Sequence, residues 1–251
     1  MNGRVRTIVG FLFLIGVAAG FVAPSAWASD AWQGSGGRVP AWTKSRTVTV
    51  SYHARYDLSL DGGTHLGTYS AWIDRLAYAL GTSSSFSPTW IDGDNQTAVF
   101  GNPVATIHGT DTVTVSRGDG KKTVYTLYRV YLTNFQAAQP VSPLYQARTT
   151  LDTHGPTTLA PRAASCRKGA YVTLKYRVND KLSPKARVTI LIKRGTTIKK
   201  TLALGLRPTG KLLGKRFKCT LAKGRYTFVV KAKDLAGNPQ AKIGRNTLTV
   251  I

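Results

Sequence analysis

The last 101 residues of the chain contain short runs in which apolar and polar residues alternate with a period of two. This period is typical of β-strands that have one buried and one exposed face. The runs are Tyr171–Val178, Arg187–Lys193, Lys215–Leu221, Arg225–Lys233 and Thr247–Val250. Turn-forming residues such as Asn179-Asp180 and Lys223-Gly224 separate them. With about seven short strands expected in about 100 residues, the pattern predicts a β-sandwich.

Three segments of this region carry a family resemblance. They are the opening Asp152–Thr158, the turn Leu221–Tyr226 and the late Val230–Asn238. With these segments, residues 151–251 resemble the bacterial immunoglobulin-like domains of secreted and surface proteins. The resemblance implies an immunoglobulin-like sandwich in which Tyr226 is the corner tyrosine, its hydroxyl bonded back to the backbone. It does not imply a particular function, because such modules serve in many roles.

The same 101 residues hold most of the charge of the chain. They contain 23 of the 35 Lys and Arg residues but only three of the 11 acids, so they account for +20 of the net +24. Residues 29–150 carry ten basic and eight acidic residues, a net charge of +2. A folded domain this positive repels itself, so we expect a polyanionic partner. The alternative is a solvated surface whose charge serves solubility.

The strand alternation predicts where these cations lie. Four are expected on the outer face of one sheet: Lys175, Arg177, Arg216 and Lys218. Five more are expected on the opposite sheet: Arg187, Lys193, Arg225, Lys231 and Lys233. These residues are the candidate anion-binding sites. The partners expected for an exported bacterial protein are acidic wall polymers, anionic lipid headgroups or extracellular DNA bound without sequence specificity.

The two cysteines, Cys166 and Cys219, are expected to form a disulfide, since a pair in an exported protein is more often bonded than free. In the strand topology that the resemblance implies, this bond staples the rim of one sheet. A pair of free thiols is the alternative. No metal site is expected, because residues 155–251 contain no His.

The N-terminus has the pattern of a secretory signal. Arg4 and Arg6 precede an apolar run from Thr7 to Ala23, and a small-residue end predicts cleavage after Ala28. Residues 1–28 are therefore assigned to a signal peptide, and the protein is expected to be secreted or attached to the cell surface. An uncleaved membrane anchor is the alternative.

Residues 29–150 divide into a Gly- and Ser-rich leader arm, 29–43, and a β-rich domain, 44–150. The apolar spacing from Thr68 to Leu80 predicts one helix near residues 68–80. Residues 111–116 and 122–133 are expected to pair as a hairpin that turns at residues 117–121.

A faint internal repeat links the two halves of the chain. Val48–Tyr52 is similar to Val172–Tyr176, and Tyr125–Leu127 is similar to Tyr226–Phe228. The first domain is predicted to be β-rich, and a second sandwich with one inserted helix is one hypothesis for it, although matches this short often arise by chance. The fold class as a whole is mainly β.

No catalytic constellation is recognisable. The chain contains no Glu, so a paired-carboxylate mechanism would need Asp residues, most of which lie in turn-like contexts. His108-Gly109-Thr110 is similar to a motif of L,D-transpeptidases, but no Cys follows it before Cys166. We therefore expect no enzymatic activity and no cofactor.

The favoured hypothesis is a non-enzymatic surface protein whose basic domain binds polyanionic envelope polymers. Two alternatives stay open. The first domain could bind glycans or act as an enzyme tethered by the basic domain. The aromatic rings that could stack on sugars are Trp42, Trp72, Trp90 and the hairpin tyrosines Tyr125, Tyr128 and Tyr131. The chain could also be a purely structural spacer. Sequence-specific nucleic-acid binding is not expected, because stacking aromatics are not interleaved with the cations.

Overall fold

The computed structural model describes residues 31–60, 73–93, 104–132 and 141–251. Over these ranges the chain forms sixteen β-strands, one 3-10 turn at Leu58–Leu60 and no α-helix. None of the described residues belongs to a helix long and apolar enough to span a membrane. The predicted signal peptide, residues 1–28, lies outside the described ranges.

The N-terminal domain is a sandwich of two sheets. Its strands are β1 (Trp32–Arg38), β2 (Trp42–Thr43), β3 (Thr47–Asp57), β4 (Ile73–Gly81), β5 (Ile91–Asp92), β6 (Val104–Thr114), β7 (Gly120–Leu132) and β8 (Tyr145–Leu151). One sheet has the order β1-β3-β6 and the other β2-β8-β7-β4-β5. The sheets pack face to face on a core that includes Tyr56 from the first sheet and Leu76 and Tyr128 from the second.

The C-terminal domain is also a two-sheet sandwich. Its strands are β9 (Thr157–Leu159), β10 (Ala164–Cys166), β11 (Tyr171–Asn179), β12 (Lys185–Arg194), β13 (Thr197–Pro208), β14 (Leu212–Lys218), β15 (Gly224–Lys233) and β16 (Gly244–Val250). The sheet orders are β9-β11-β14 and β10-β16-β15-β12-β13. Leu174, Ile190, Phe228 and Leu248 are fully buried between them. The predicted sandwich is confirmed.

The two domains repeat one topology, and β1 to β8 correspond in order to β9 to β16. In each five-stranded sheet the short edge strand runs parallel to the last strand, β2 to β8 and β10 to β16. Val48–Tyr52 and Val172–Tyr176 lie in the central strands of the two three-stranded sheets, β3 and β11. The faint sequence repeat therefore marks equivalent strands, and the first domain is a second sandwich.

The segment predicted as a leader arm is part of the first sandwich. β1 pairs with β3, and the ring of Trp32 packs edge-on against Tyr56 with centroids 4.9 Å apart. A β-carbon on Gly37 would lie 2.5 Å from Cγ1 of Val50 and 2.6 Å from Oγ1 of Thr126. Glycine is therefore needed here for the close approach of β1 to these side chains, and the predicted leader arm is wrong over the residues of β1. Residues 29 and 30 lie outside the described ranges.

The helix predicted near residues 68–80 is wrong over residues 73–80, which belong to β4; residues 68–72 are not described. Leu76 and Tyr78 face the core, and Ala77 and Ala79 on the other face are also buried. The loop after β4 covers that second face, where the ring of Phe86 packs against Gly81. A strand buried on both faces does not alternate between apolar and polar residues. Its apolar residues can then occur in the sequence at the spacing that is typical of a helix.

The predicted hairpin is also wrong. β6 pairs with β3, whereas β7 pairs with β4 and β8 in the other sheet. The turn at residues 115–119 therefore carries the chain from one sheet to the other. Strand period and turn residues do not distinguish a hairpin from such a crossing, because both need a tight turn between two strands.

Candidate functional site

Four cations share the outer face of the three-stranded sheet in the C-terminal domain. Lys175 and Arg177 on β11 and Arg216 and Lys218 on β14 are all exposed, and their β-strand register places them on the same side. The Arg216 guanidinium stacks on the ring of Tyr171 at 4.3 Å from its centroid. This face is therefore positive along its whole length, as the alternation predicts.

The five-stranded sheet also presents cations outward. Arg187 on β12 lies directly opposite Lys233 on β15, and Lys231 on β15 lies opposite Thr189. Lys193 is half-buried and faces Thr227, and Arg225 is exposed at the start of β15. Like charges directly opposite each other on neighbouring strands destabilise a sheet, so the Arg187 and Lys233 pair favours an external anion between them.

The three acids of the domain lie on neither face. Asp152, Asp180 and Asp234 come together where the domains join, and one carboxylate oxygen from each lies within 4.8 Å of the others. Asp152 is 2% exposed and Asp234 is 6% exposed. The sequence analysis missed this group because the three residues are far apart in the chain. The sequence feature that could have indicated this cluster is that these three residues are the only acids of residues 151–251.

Hydrogen-bond donors reach some of the carboxylate oxygens of the acidic cluster but not all of them. Asp152 accepts from the Ser183 hydroxyl at 3.2 Å, and Oδ1 of Asp180 accepts from the Ser183 backbone amide at 2.7 Å. Oδ2 of Asp180 is buried without a hydrogen-bond partner. Burial, together with the charges of Asp180 and Asp234, raises the pKa of Asp152 above its ordinary value. An all-oxygen group of this kind is the donor set that hard cations such as Ca²⁺ prefer.

Hydrogen bonds join the two domains next to the acidic cluster. Asp119, in the crossing turn of the first domain, accepts from Thr153 N at 3.1 Å and from Thr153 Oγ1 at 2.8 Å. Oδ2 of Asp119 also lies 2.5 Å from Nδ1 of His154. Burial by itself raises the pKa of Asp119, but the hydrogen bonds from His154 and Thr153 outweigh it and leave that pKa lowered. Arg117-Gly118-Asp119 is thus a turn whose carboxylate serves the domain junction.

The predicted disulfide between Cys166 and Cys219 is not formed in the structure, where both side chains are buried free thiols. Their contact and their burial raise the pKa of Cys166 to about 12, with burial the larger cause. Cys166 ends β10 in the five-stranded sheet, and Cys219 follows β14 in the three-stranded sheet. A bond between them would join the two sheets, so the expected rim staple is also wrong, because β10 pairs with β16 across the sandwich from β14.

The corner tyrosine occupies the place that the resemblance implies. The Tyr226 hydroxyl donates to the carbonyl of Ala222 at 2.8 Å. The contact closes the turn that leads into β15, and the guanidinium of Arg194 lies 6.0 Å from the ring centroid.

The aromatic residues of the first domain do not form an open stacking platform in the described ranges. The Trp90 ring is covered by the guanidinium of Arg129 at 4.4 Å, and the Tyr131 ring by that of Arg75 at 4.2 Å. Trp42 is half-buried, and Trp72 is not described. In the described part of the chain, the aromatic residue with a largely exposed side chain is Tyr171 of the second domain, at 61%.

His53 and His108 of the first domain lie beside each other, while the nearby Asp57 and Asp111 bond other residues. His53 lies opposite His108 on the outer face of the β3 and β6 pair, with ring centroids 6.5 Å apart. Asp57 bonds Arg55 and Ser59, and Asp111 accepts from the Tyr78 hydroxyl at 2.9 Å. Each carboxylate thus has a structural partner.

The strand order defines two tandem β-sandwiches of one topology, and the second has the corner tyrosine that is typical of immunoglobulin-like sandwiches. No protein-family model matches the chain, and no curated protein matches it. The chain is similar in structure to the fibronectin(III)-like modules of Clostridium thermocellum CbhA, at 12% identity and a TM-score of 0.39, over 87% of this chain and 90% of that one.

Two further solved structures are similar to the chain. One is of a 1.5-MDa bacterial ice-binding adhesin, at 16% identity and a TM-score of 0.37, over 87% of this chain and 66% of that one. The other is a tetra-tandem repeat from the extending region of a large adhesion protein, at 17% identity and a TM-score of 0.30. That match covers 87% of this chain and 50% of the other, so the chain spans half the length of the repeat structure.

Proposed function

We propose that the chain is an exported, non-enzymatic protein of the cell surface or envelope. Its C-terminal immunoglobulin-like domain binds polyanionic envelope polymers through distributed electrostatic attraction. The N-terminal sandwich is the module that this domain holds at the surface. The predicted signal peptide, residues 1–28, supports export, and the net charge of +20 on residues 151–251 supports a polyanionic partner.

One observation carries the proposal, namely the separation of charge within the second domain. Its three acids are gathered at the domain junction, whereas exposed cations cover both sheet faces. Neither face therefore offers a carboxylate to compete with an external anion. At physiological ionic strength the screening length is about 8 Å, so neighbouring cations on one face act together on a polymer that lies along it.

The character of the faces indicates what kind of polyanion fits. Cations contact the charged backbone of a polymer without reading its sequence, and proteins that bind single-stranded nucleic acid usually add a series of stacking aromatic rings. Tyr171 is the exposed aromatic among the described residues of these faces, and Arg216 already covers one side of it. A phosphate- or carboxylate-bearing polymer, bound without sequence specificity, fits these faces best.

The test is retention of the purified protein, residues 29–251, on isolated cell envelopes across a series of salt concentrations. We expect retention at low salt that falls steeply as salt rises, because bound counterions compete with the protein for each anionic group. Retention that does not change with salt would overturn the proposal. If the protein is not retained at any salt concentration, the charge serves solubility only, and the structural-spacer alternative is favoured.

A further inference from the structure

The C-terminal sandwich has a cleft at one edge, between strands β13 and β14. These strands belong to different sheets, and residues 209–211 arch from one to the other. The cleft measures about 570 Å³. Buried Tyr176 and Leu204 line its inner part, together with Leu213. The edge of the hydrophobic core is thus open at this place.

Two cations point into this cleft from opposite sheets. Arg207 on β13 is the cross-strand partner of Ala186, and Lys215 on β14 is the partner of Leu174. Ala186 and Leu174 are fully buried core residues, and cross-strand partners share a face. Arg207 and Lys215 therefore lie on the inward side of their strands and line the cleft, where Arg207 stays exposed and Lys215 is half-buried.

A β-bulge creates this orientation of Arg207. Val188 pairs with Gly205 but Thr189 pairs with Ala203, so Leu204 is an extra residue in β13. Gly205 follows it with φ of 71°, a conformation that favours glycine. Without the bulge, Leu206 would face the core and Arg207 the solvent. The bulge reverses this, so that Leu206 is 50% exposed while Arg207 lies in the cleft.

The cleft carries positive charge and no acidic lining residue. Arg216 joins Arg207 and Lys215 in its lining, and none of the three forms an ion pair with a carboxylate in the described part of the chain. Burial raises the pKa of the Tyr176 hydroxyl, and the nearby charge of Arg207 opposes that rise. Arg207 and Lys215 beside a partly apolar recess, with Arg216 at its rim, match a charged oxyanion, since Arg binds phosphate through paired hydrogen bonds.

We infer that this cleft is the specific phosphate-binding site of the domain, and that it seats one phosphate group of an anionic polymer. The inference rests on the proposed function and deepens it. Arg216 lines the cleft and also belongs to the cationic face with Lys175 and Lys218. A polymer seated in the cleft can therefore continue along that face. For this reason we assign the site to a polymer chain and not to a lipid headgroup.

The test measures the affinity of residues 29–251 for short-chain inorganic polyphosphate by calorimetry. The cleft variant is Arg207→Gln with Lys215→Gln. The matched control is Lys231→Gln with Lys233→Gln, which removes the same charge from the outer face of the five-stranded sheet. We expect the cleft variant to raise Kd by about tenfold or more and the control by about threefold or less, because only the cleft bonds are directed.

A second measurement needs no variant and so holds even if the substituted protein folds poorly. Amide chemical shifts of the wild-type protein are followed during the polyphosphate titration. We expect the largest changes at residues 204–207 and 213–216. Equal affinity losses in the two variants, with shifts spread over both faces, would overturn the inference while the distributed-binding proposal stands.

Two other outcomes separate this inference from the proposed function. If the wild-type protein does not bind polyphosphate at all, both fail together. Inward charges on edge strands also protect against edge-to-edge association. Aggregation of the cleft variant with unchanged affinity of its monomer would therefore overturn the binding inference. Tighter binding to vesicles of phosphatidylglycerol and phosphatidylcholine than to polyphosphate would likewise overturn the assignment to a polymer.

Discussion

Oδ2 of Asp119 and Nδ1 of His154 lie 2.5 Å apart, so a turn of the first domain is bonded to the opening residues of the second. Thr153 adds two hydrogen bonds to the same carboxylate group. On the other side of the linker, the Asn238 side chain donates to the carbonyl of Asp152 at 2.7 Å. The linker is therefore fixed from both domains, which restrains their relative orientation.

The first prediction concerns this junction. Asp119→Asn should let the two domains tumble more independently, because the carboxylate that bonds His154 Nδ1 is lost and the bonds from Thr153 weaken. NMR residual dipolar couplings of the two domains measure this directly. Asp74→Asn is the matched control, since Asp74 is exposed and pairs only with its neighbour Arg75 among the contacts that the structure describes. A change of equal size in both variants would contradict the assignment.

The junction should also depend on pH. The pKa of Asp119 is lowered in the folded state, so its stabilising contribution is complete above the ordinary Asp value of about 4. That contribution is lost as the pH falls through the lowered folded-state value. Wild-type protein in acid should therefore approach the domain motion of Asp119→Asn at neutral pH. A wild-type junction that loosens on alkalinisation would contradict this sign.

The second prediction concerns the acidic cluster. Burial and the two neighbouring charges raise the folded-state pKa of Asp152, so its ionised form opposes folding, and stability should rise as the pH falls through that value. Asp180→Asn removes one charge and can place a donor where Oδ2 lacks a partner. We expect it to stabilise the protein by about 1 kcal/mol at neutral pH in the presence of a chelator, measured by urea unfolding. Destabilisation would mean that the cluster is compensated in another way.

The third prediction concerns the three-stranded face. Replacing Lys175, Arg177, Arg216 and Lys218 by Gln should weaken retention on envelopes and lower its salt dependence without unfolding the domain, since all four side chains are exposed. The control removes four exposed cations of the first domain: Arg38, Lys44, Lys121 and Arg148. If both variants lose retention equally, total charge matters and this face does not.

The fourth prediction concerns the cysteines. Because the Cys166 and Cys219 thiols contact each other across two sheets, mild oxidation should join them, and mass spectrometry would detect the loss of two hydrogens. In the entropic account, closing the chain segment between them should stabilise the domain by about 4 kcal/mol. Thermal unfolding with and without reductant measures this, and Cys219→Ser is the control that cannot bond. Oxidation that lowers the melting temperature would show that the bond strains the sandwich.

The strands of the second domain follow from the sequence because each has one buried and one exposed face. Tyr171–Val178 was expected and Tyr171–Asn179 is found, and Arg225–Lys233 differs from β15 by one residue. β13 was not predicted from the sequence, because both of its ends are exposed and the bulge at Leu204 reverses the alternation of inward and outward residues. The cleft at Arg207 depends on that reversal, so it could not be predicted from a regular period.

The remaining differences arise from contacts between segments that are distant in the chain. β4 takes helical spacing because the Phe86 loop covers its second face, which no local pattern shows. The acidic cluster joins Asp152, Asp180 and Asp234 only through the fold. The cationic faces were predictable, in contrast, because strand alternation alone decides which side a residue occupies.

The parallel pairing of β10 with β16 has a mechanical consequence for the second domain. Ala164 pairs with Leu248 and Cys166 with Val250, and the amide of Ile251 donates to the carbonyl of Cys166 at 2.9 Å. Because the two strands run in the same direction, tension applied between the start of β10 and the end of β16 pulls them along each other. The hydrogen bonds are then loaded in shear and must break together, so the domain should resist pulling better than one whose terminal strands peel apart bond by bond.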